Sequence, residues 1–159
     1  MVETLTLPDG VWLESGVQLA PVEIAYATYG SPGNPVVYIC HALTGDAEAA
    51  VWWDTLIGPG KPIDTDRYWV ICANLLGGCK GTTGPSSVNP ATGAPYGLDF
   101  PLFTVRDLVT LHRTVLGALQ VDTVYAAVGG SLAGCRSCSG RWTTRPRSRA
   151  RCWCARPRG

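Results

Sequence analysis

The chain of 159 residues is long enough for one small domain or for part of a larger one. Its net charge of +1 hides a split: residues 1–134 hold all twelve acidic residues against five basic ones, and residues 135–159 hold eight arginines and no acid. No apolar run has signal-peptide or bilayer-spanning length, and an odd count of seven cysteines forms no secreted framework, which argues against membrane and exported classes and for a reducing, cytoplasmic setting.

In chain order, Thr4–Leu7, the turn Pro8-Asp9-Gly10 and Val11–Leu13 read as a hairpin. Glu14-Ser15-Gly16 turns the chain again into Val17–Tyr29, whose V-E-I-A-Y stretch alternates like a half-buried strand, so an antiparallel meander is expected up to Ser31–Pro35. Val36–Cys40 is different. It is a continuous apolar run, the pattern of a strand covered on both faces, and it leads directly into His41-Ala42-Leu43-Thr44-Gly45-Asp46. A second run, Tyr68–Ala73, ends at Asn74 and a glycine-rich loop reaching Pro85. That loop lacks the G-K-[ST] ending and helical continuation of a phosphate cradle, and reads as a pocket wall. Cys79 within it has no base beside it in sequence.

Asp107–Gln120 reads as a helix with Leu108, Leu111, Val115 and Leu119 on one face; His112 beside Arg113 is expected at its surface. Buried strands with long crossovers and a helix before the third imply an α/β fold with a parallel sheet. The third run, Val124–Val128, breaks into Gly129-Gly130-Ser131-Leu132-Ala133-Gly134. A strand ending in small residues around a serine is the pattern of the nucleophile elbow of α/β-hydrolase folds, G-x-S-x-G, although the second small position here is Ala133 with Gly134 one place later. On this reading Ser131 is the nucleophile. The backbone N–H groups of Leu132 and of Leu43, in the loop after the first buried strand, form an oxyanion hole. His41 is expected to support that loop, because the base of this fold comes later in the chain.

These loops resemble homoserine O-acetyltransferases, with landmarks running from Leu13 to Gly134. They include L-E-S-G at Leu13–Gly16, P-V-x-I-A-Y-x-T-Y-G at Pro21–Gly30, C-H-A-L-T-G-D at Cys40–Asp46 and W-W-D at Trp52–Asp54. I-G-P-G-K-P-I-D-T-D-R-Y at Ile57–Tyr68, G-G-C-K-G-T-T-G-P at Gly77–Pro85, N-P-A-T-G-x-P-Y-G at Asn89–Gly97 and G-G-S-L at Gly129–Leu132 follow. The resemblance implies an α/β-hydrolase fold truncated just after its nucleophile elbow. It also implies a ping-pong reaction in which Ser131 takes acetyl from acetyl-CoA and passes it to L-homoserine, in methionine biosynthesis. No bound cofactor or metal, no nucleic-acid or membrane partner, and a homodimeric intact enzyme are implied as well. Succinyl-CoA as donor, L-serine as acceptor, and a plain esterase are the alternatives.

Residues 1–134 are therefore expected to be the N-terminal part of an acyltransferase domain, and residues 135–159 a tail that is no domain. The tail contains no His, Asp or Glu to complete a triad, and after Leu132 there is no Leu, Ile, Val, Met or Phe. The family continues with a pattern like M-Q-x-L-x-W-A and later Y-P. A coding stretch for M-Q-V-L-Q-W-A-V-D-Y-P, read with its first base dropped, encodes Cys135 to Arg145 as they stand. An out-of-frame origin explains the Arg, Cys and Trp content. The rival readings are a zinc site from Cys135, Cys138, Cys152 and Cys154, and electrostatic nucleic-acid binding by the arginines. The chain by itself is expected to be inactive and poorly folded, with an apolar sheet face and an unpaired strand edge.

Overall fold

The computed structural model describes residues 1–129 and the backbone of Arg151–Cys154. The opening strand, β1 (Val2–Leu7), ends at the expected turn, where the Gly10 N–H donates to the Leu7 carbonyl at 3.0 Å. The expected hairpin does not form. β2 (Val11–Trp12) pairs with β3 (Gln18–Leu19), while β1 pairs antiparallel with β4 (Val22–Tyr29), Leu7 opposite Val22 and Val2 opposite Ala27. The Val17–Tyr29 stretch is divided at Pro21, which has no N–H to give a ladder. The chain beyond the division is thus free to turn back along β1.

Next come β5 (Val36–Cys40), a short helix α1 (Ala49–Trp52), the paired two-residue strands β6 (Ile57–Gly58) and β7 (Ile63–Asp64), and β8 (Trp69–Ala73). After the glycine-rich loop and a 3-10 turn at Gly97–Asp99 come helix α2 (Val105–Ala118) and β9 (Val124–Gly129). The last described element, β10 (Arg151–Cys154), lies parallel to β9. β10 is the last strand in the described order, outside β9. In the main sheet the order is β1-β4-β8-β5-β9-β10; the β1–β4 and β4–β8 pairs are antiparallel and the remaining three parallel.

All residues of β5 and β8 are buried, as their unbroken apolar runs require. Alternation then divides them between two cores. Val36, Tyr38 and Cys40 with Ile71 and Ala73 face α2, whereas Val37 and Ile39 with Val70 and Cys72 face α1 and Ile57. Each fully buried aliphatic side chain contributes about 1.5–3 kcal/mol of transfer free energy, so β5 and β8 fix the floor on which the loops stand.

Helix α2 starts two residues before its expected start, on a capping box. Thr104 Oγ1 accepts from the Asp107 N–H, and the Asp107 carboxylate accepts from the Thr104 N–H. Asp107 also accepts from the Glu14 N–H at 2.9 Å, tying the loop after β2 to the helix. Arg106 reinforces this with an ion pair to Glu14 at 2.7 Å.

His112 is not on the surface as expected; it is fully buried. It stands four residues after Leu108 and so shares the core stripe. Its ring packs against Tyr38 with centroids 5.7 Å apart, and Nε2–H donates to the Asn74 carbonyl at 3.2 Å.

Candidate active site

Parallel strands present their carboxyl ends to one rim, and loops leaving that rim gather ligands. Cys40 of β5 is in register with Gly129 of β9, so the His41 loop and the residues after Gly129 leave neighbouring strands at one level. Ser131 and Leu132 lie outside the described residues. On the other side of β5, β8 ends at Ala73 and Asn74 opens the glycine-rich loop.

The His41–Asp46 loop is held by its own backbone and by Asp46. The Gly45 N–H donates to the Ala42 carbonyl at 2.9 Å, closing a turn around Leu43 and Thr44. His41, buried, donates from Nδ1–H to the same carbonyl at 2.7 Å, which accords with a supporting role. Leu43 stands out at the tip, 73% exposed. Asp46 draws three elements together. Its Oδ1 accepts from the Glu48 N–H, its carbonyl accepts from Trp52 Nε1–H at 3.1 Å, and its Oδ2 pairs with Lys80 Nζ at 3.4 Å.

Two concavities flank this loop. One, about 460 Å³, lies between it and the adjacent Trp52 and Trp53 rings, whose centroids are 4.8 Å apart. The other, about 250 Å³, lies between Leu43, Thr44 and Gly45 and the glycine-rich residues Leu75 to Lys80. The glycine-rich loop thus forms a pocket wall, as its sequence suggests. Two of its glycines are needed for space: a Cβ on Gly77 (φ +76°) would fall 2.7 Å from Phe103, and one on Gly84 would fall 2.4 Å from the Gly78 carbonyl oxygen. Thr82 and Thr83 fasten it to β4, their Oγ1 atoms accepting from the Ala25 and Glu23 N–H groups at 2.9 and 2.8 Å. Asn74 donates from Nδ2 to the Lys80 carbonyl and from its backbone to the Ala25 carbonyl at 2.8 Å.

Burial pushes the Tyr29 phenol up from its ordinary pKa, leaving it a hydrogen-bond donor that meets the Ala47 carbonyl at 3.4 Å. Cys79 is an exposed thiol. Among the described residues no three His, Cys, Asp or Glu side chains come together as metal ligands, and no helix is long and apolar enough to cross a membrane. The four tail cysteines of the zinc reading lie in residues whose side chains are not described. Sequence reasoning placed Leu43 in its loop but missed Asp46, Asn74 and His112 as the residues that hold the rim together. Helical spacing from Leu108 was the available signal for His112.

The strand order, with β8 and β5 at its centre and the glycine-rich and His41 loops leaving their carboxyl ends, is that of an α/β-hydrolase fold. Esterase E22 superposes with a TM-score of 0.81 at 34% identity, covering 91% of this chain and 46% of that protein. Homoserine O-acetyltransferase from Bacillus anthracis superposes equally, with a TM-score of 0.81 and 34% identity over 86% of this chain and 41% of the other.

Sequence narrows the class. Homoserine O-succinyltransferase from a Nocardioides species is 56% identical over 138 residues, 79% of this chain and 37% of that relative. Homoserine O-acetyltransferase from Methanohalophilus mahii is 54% identical over 134 residues, 77% of this chain and 28% of that relative. No protein-family model matches. These homologues, matched over about four fifths of this chain, are named homoserine O-acetyl- or O-succinyltransferases. The chain spans well under half the length of these relatives.

Proposed function

We propose that the complete protein transfers an acetyl group from acetyl-CoA to the hydroxyl of L-homoserine, and that residues 1–134 are the first part of its catalytic domain. The observation that carries this reading is the 48–56% identity to named homoserine acyltransferases, which includes the rim loops described above. Ser131 Oγ attacks the thioester carbonyl, the C–S bond breaks, and CoA leaves as its thiol. The homoserine hydroxyl then attacks the acyl-serine, its proton is taken up by the base, and Ser131 is regenerated. The backbone N–H groups of Leu43 and Leu132 stabilise each tetrahedral oxyanion, and such a donor contributes on the order of 3 kcal/mol. Support for this reading is that the loop held by Asp46 and the Ala42 carbonyl leaves β5 at Cys40, in register with Gly129, the residue two before Ser131 in sequence.

His41 is committed to its loop and His112 to Asn74; the fold places both the carboxylate and the base after the nucleophile, where residues 135–159 hold no His, Asp or Glu, so on this reading other sequence supplies them. The 159-residue chain is inactive on this reading. The complete enzyme works in the cytoplasm as a homodimer without bound metal or cofactor.

A succinyl donor is the second reading, favoured by the name of the 56% identical relative. An esterase is the third, favoured by the fold match to E22. The test is a complete gene product assayed with acetyl-CoA and succinyl-CoA against L-homoserine and L-serine, and with nitrophenyl acetate. O-acetylhomoserine is the expected product, lost in Ser131→Ala. Ester hydrolysis without transfer would overturn the reading.

A further inference from the structure

The tail carries Cys or Trp at six positions: 135, 138, 142, 152, 153 and 154. Codons for both residues begin with T-G. If one base is restored at the junction of codons 134 and 135, each of these positions is read from some base followed by T-G. Every such codon spells Leu, Met or Val, whatever codons were used for the neighbours. At 153 the first base is the T or C that ends a cysteine codon, which leaves only Leu. At 154 it is the G that ends the tryptophan codon, which leaves only Val.

The restored apolar residues are not scattered. Positions 135, 138 and 142 stand at i, i+3 and i+7, the stripe of a helix packed on a sheet. Positions 152, 153 and 154 are consecutive, the run of a strand covered on both faces. A zinc site explains only the cysteines; the frame explains Trp142 and Trp153 with them. The opposite offset fails the same test, because it converts each tryptophan codon to glycine, one within the helix and one at the centre of the strand.

The structure supplies the independent part. Residues 151–154 form β10, parallel to β9, with Cys152 opposite Ala127, Trp153 opposite Val128 and Cys154 opposite Gly129. A parallel pair needs a connection of a dozen or more residues, and twenty-one positions separate Gly129 from Arg151 in the sequence. The apolar run of the restored frame thus falls on the described segment of the tail, which pairs with the sheet.

We infer that residues 135–159 are a one-base-offset reading of the crossover helix that follows β9 and of the next parallel strand, which the restored frame writes as [LMV]-Leu-Val at 152–154. This inference rests on the genetic code and the pairing of β10, and stands or falls apart from which acyl group is transferred.

The test compares the 159-residue chain with a chain carrying one base inserted between codons 134 and 135, and with a third carrying two. Backbone hydrogen exchange at Ala126–Val128 of β9 is expected to slow about tenfold or more in the one-base chain and not in the two-base chain. Equal exchange in all three would overturn the inference. Should the one-base chain prove insoluble, the coding DNA past codon 159 decides. A restored frame open over the missing length of the relatives supports the offset, and a stop within the first few dozen codons refutes it. The acyl-transfer assay reads neither quantity, so a failed activity leaves this result standing.

Discussion

Replacing Asp107 tests how far the N-terminal strands depend on helix α2. The Asp107 side chain accepts from two backbone N–H groups, that of Glu14 at 2.9 Å and that of Thr104 at 2.7 Å, and closes the capping box from within the helix. Hydrogen bonds to a charged group contribute about 1.5–3 kcal/mol each. Glu14 and Thr104 are exposed residues whose freed N–H groups can turn to water, so the low end applies. Asp107→Ala should then cost about 3 kcal/mol for the two bonds together. With a urea m-value of about 2 kcal/mol per molar, the unfolding midpoint falls by about 1.5 M. Asp107→Asn keeps one acceptor oxygen, loses the charge, and should fall about halfway between. The assay is urea unfolding at neutral pH followed by tryptophan fluorescence, with Thr104→Ala and the double variant completing a cycle. The double variant should lose less than the sum of the two, since Thr104 and Asp107 bond each other. A midpoint shift below about 0.5 M for Asp107→Ala would refute the proposed tie, because one exposed cap alone is worth about 1 kcal/mol.

Replacing His112 with Leu fills similar space but leaves the buried Asn74 carbonyl without its donor; a loss of about 1–3 kcal/mol is expected, read by the same urea midpoint. Gly77→Ala must accept both a left-handed φ and a Cβ against Phe103, and a cost of about 1–3 kcal/mol from backbone strain alone is expected. Pairing it with Phe103→Leu should recover only the part due to the clash. Asp64 Oδ1 accepts from the Gly60 and Asp66 N–H groups at 3.0 Å, and these backbone bonds, with Arg67 adding to them, hold its carboxyl below the ordinary value of 3.8. The stability it contributes is complete above that ordinary value and is lost as pH falls through the lower folded-state value. Asp64→Asn should therefore flatten the acid limb of the stability profile, and carbon-13 titration of the carboxyl should show a midpoint below 3.8.

Much of the fold could be read in the chain because β5 and β8 are buried on both faces, and burial on both faces leaves an unbroken apolar run in the sequence. The pairing of β1 could not. The turn at Pro8-Asp9-Gly10 is present, but a turn signal says only that the chain reverses, and β1 finds its partner in β4, beyond Pro21. His112 was misjudged by its chemical type, although its spacing from Leu108 put it on the core stripe. In the candidate site, the His41–Asp46 segment announced itself by following a buried strand. The links from Asp46 to Lys80 and from Asn74 to His112 join residues 34 and 38 positions apart and exist only once the sheet has formed.

The two threonines that fasten the glycine-rich loop have a consequence for solubility. β8 pairs with β4 only from Tyr26 to Tyr29, so the Glu23 and Ala25 N–H groups lie beyond the ladder and are met by Thr83 and Thr82 instead. Without those hydroxyls the Glu23 and Ala25 N–H groups would lose their acceptors, and only the bonds from the Thr83 N–H to the Glu23 carbonyl at 2.9 Å and from the Asn74 N–H to the Ala25 carbonyl at 2.8 Å would keep the chain over this half of β4; where it lifts, the strand is a template on which another chain could add a strand. The pocket wall thus also guards the sheet against self-association, and a Thr82→Val/Thr83→Val chain should reveal that second duty as a concentration-dependent growth in particle size.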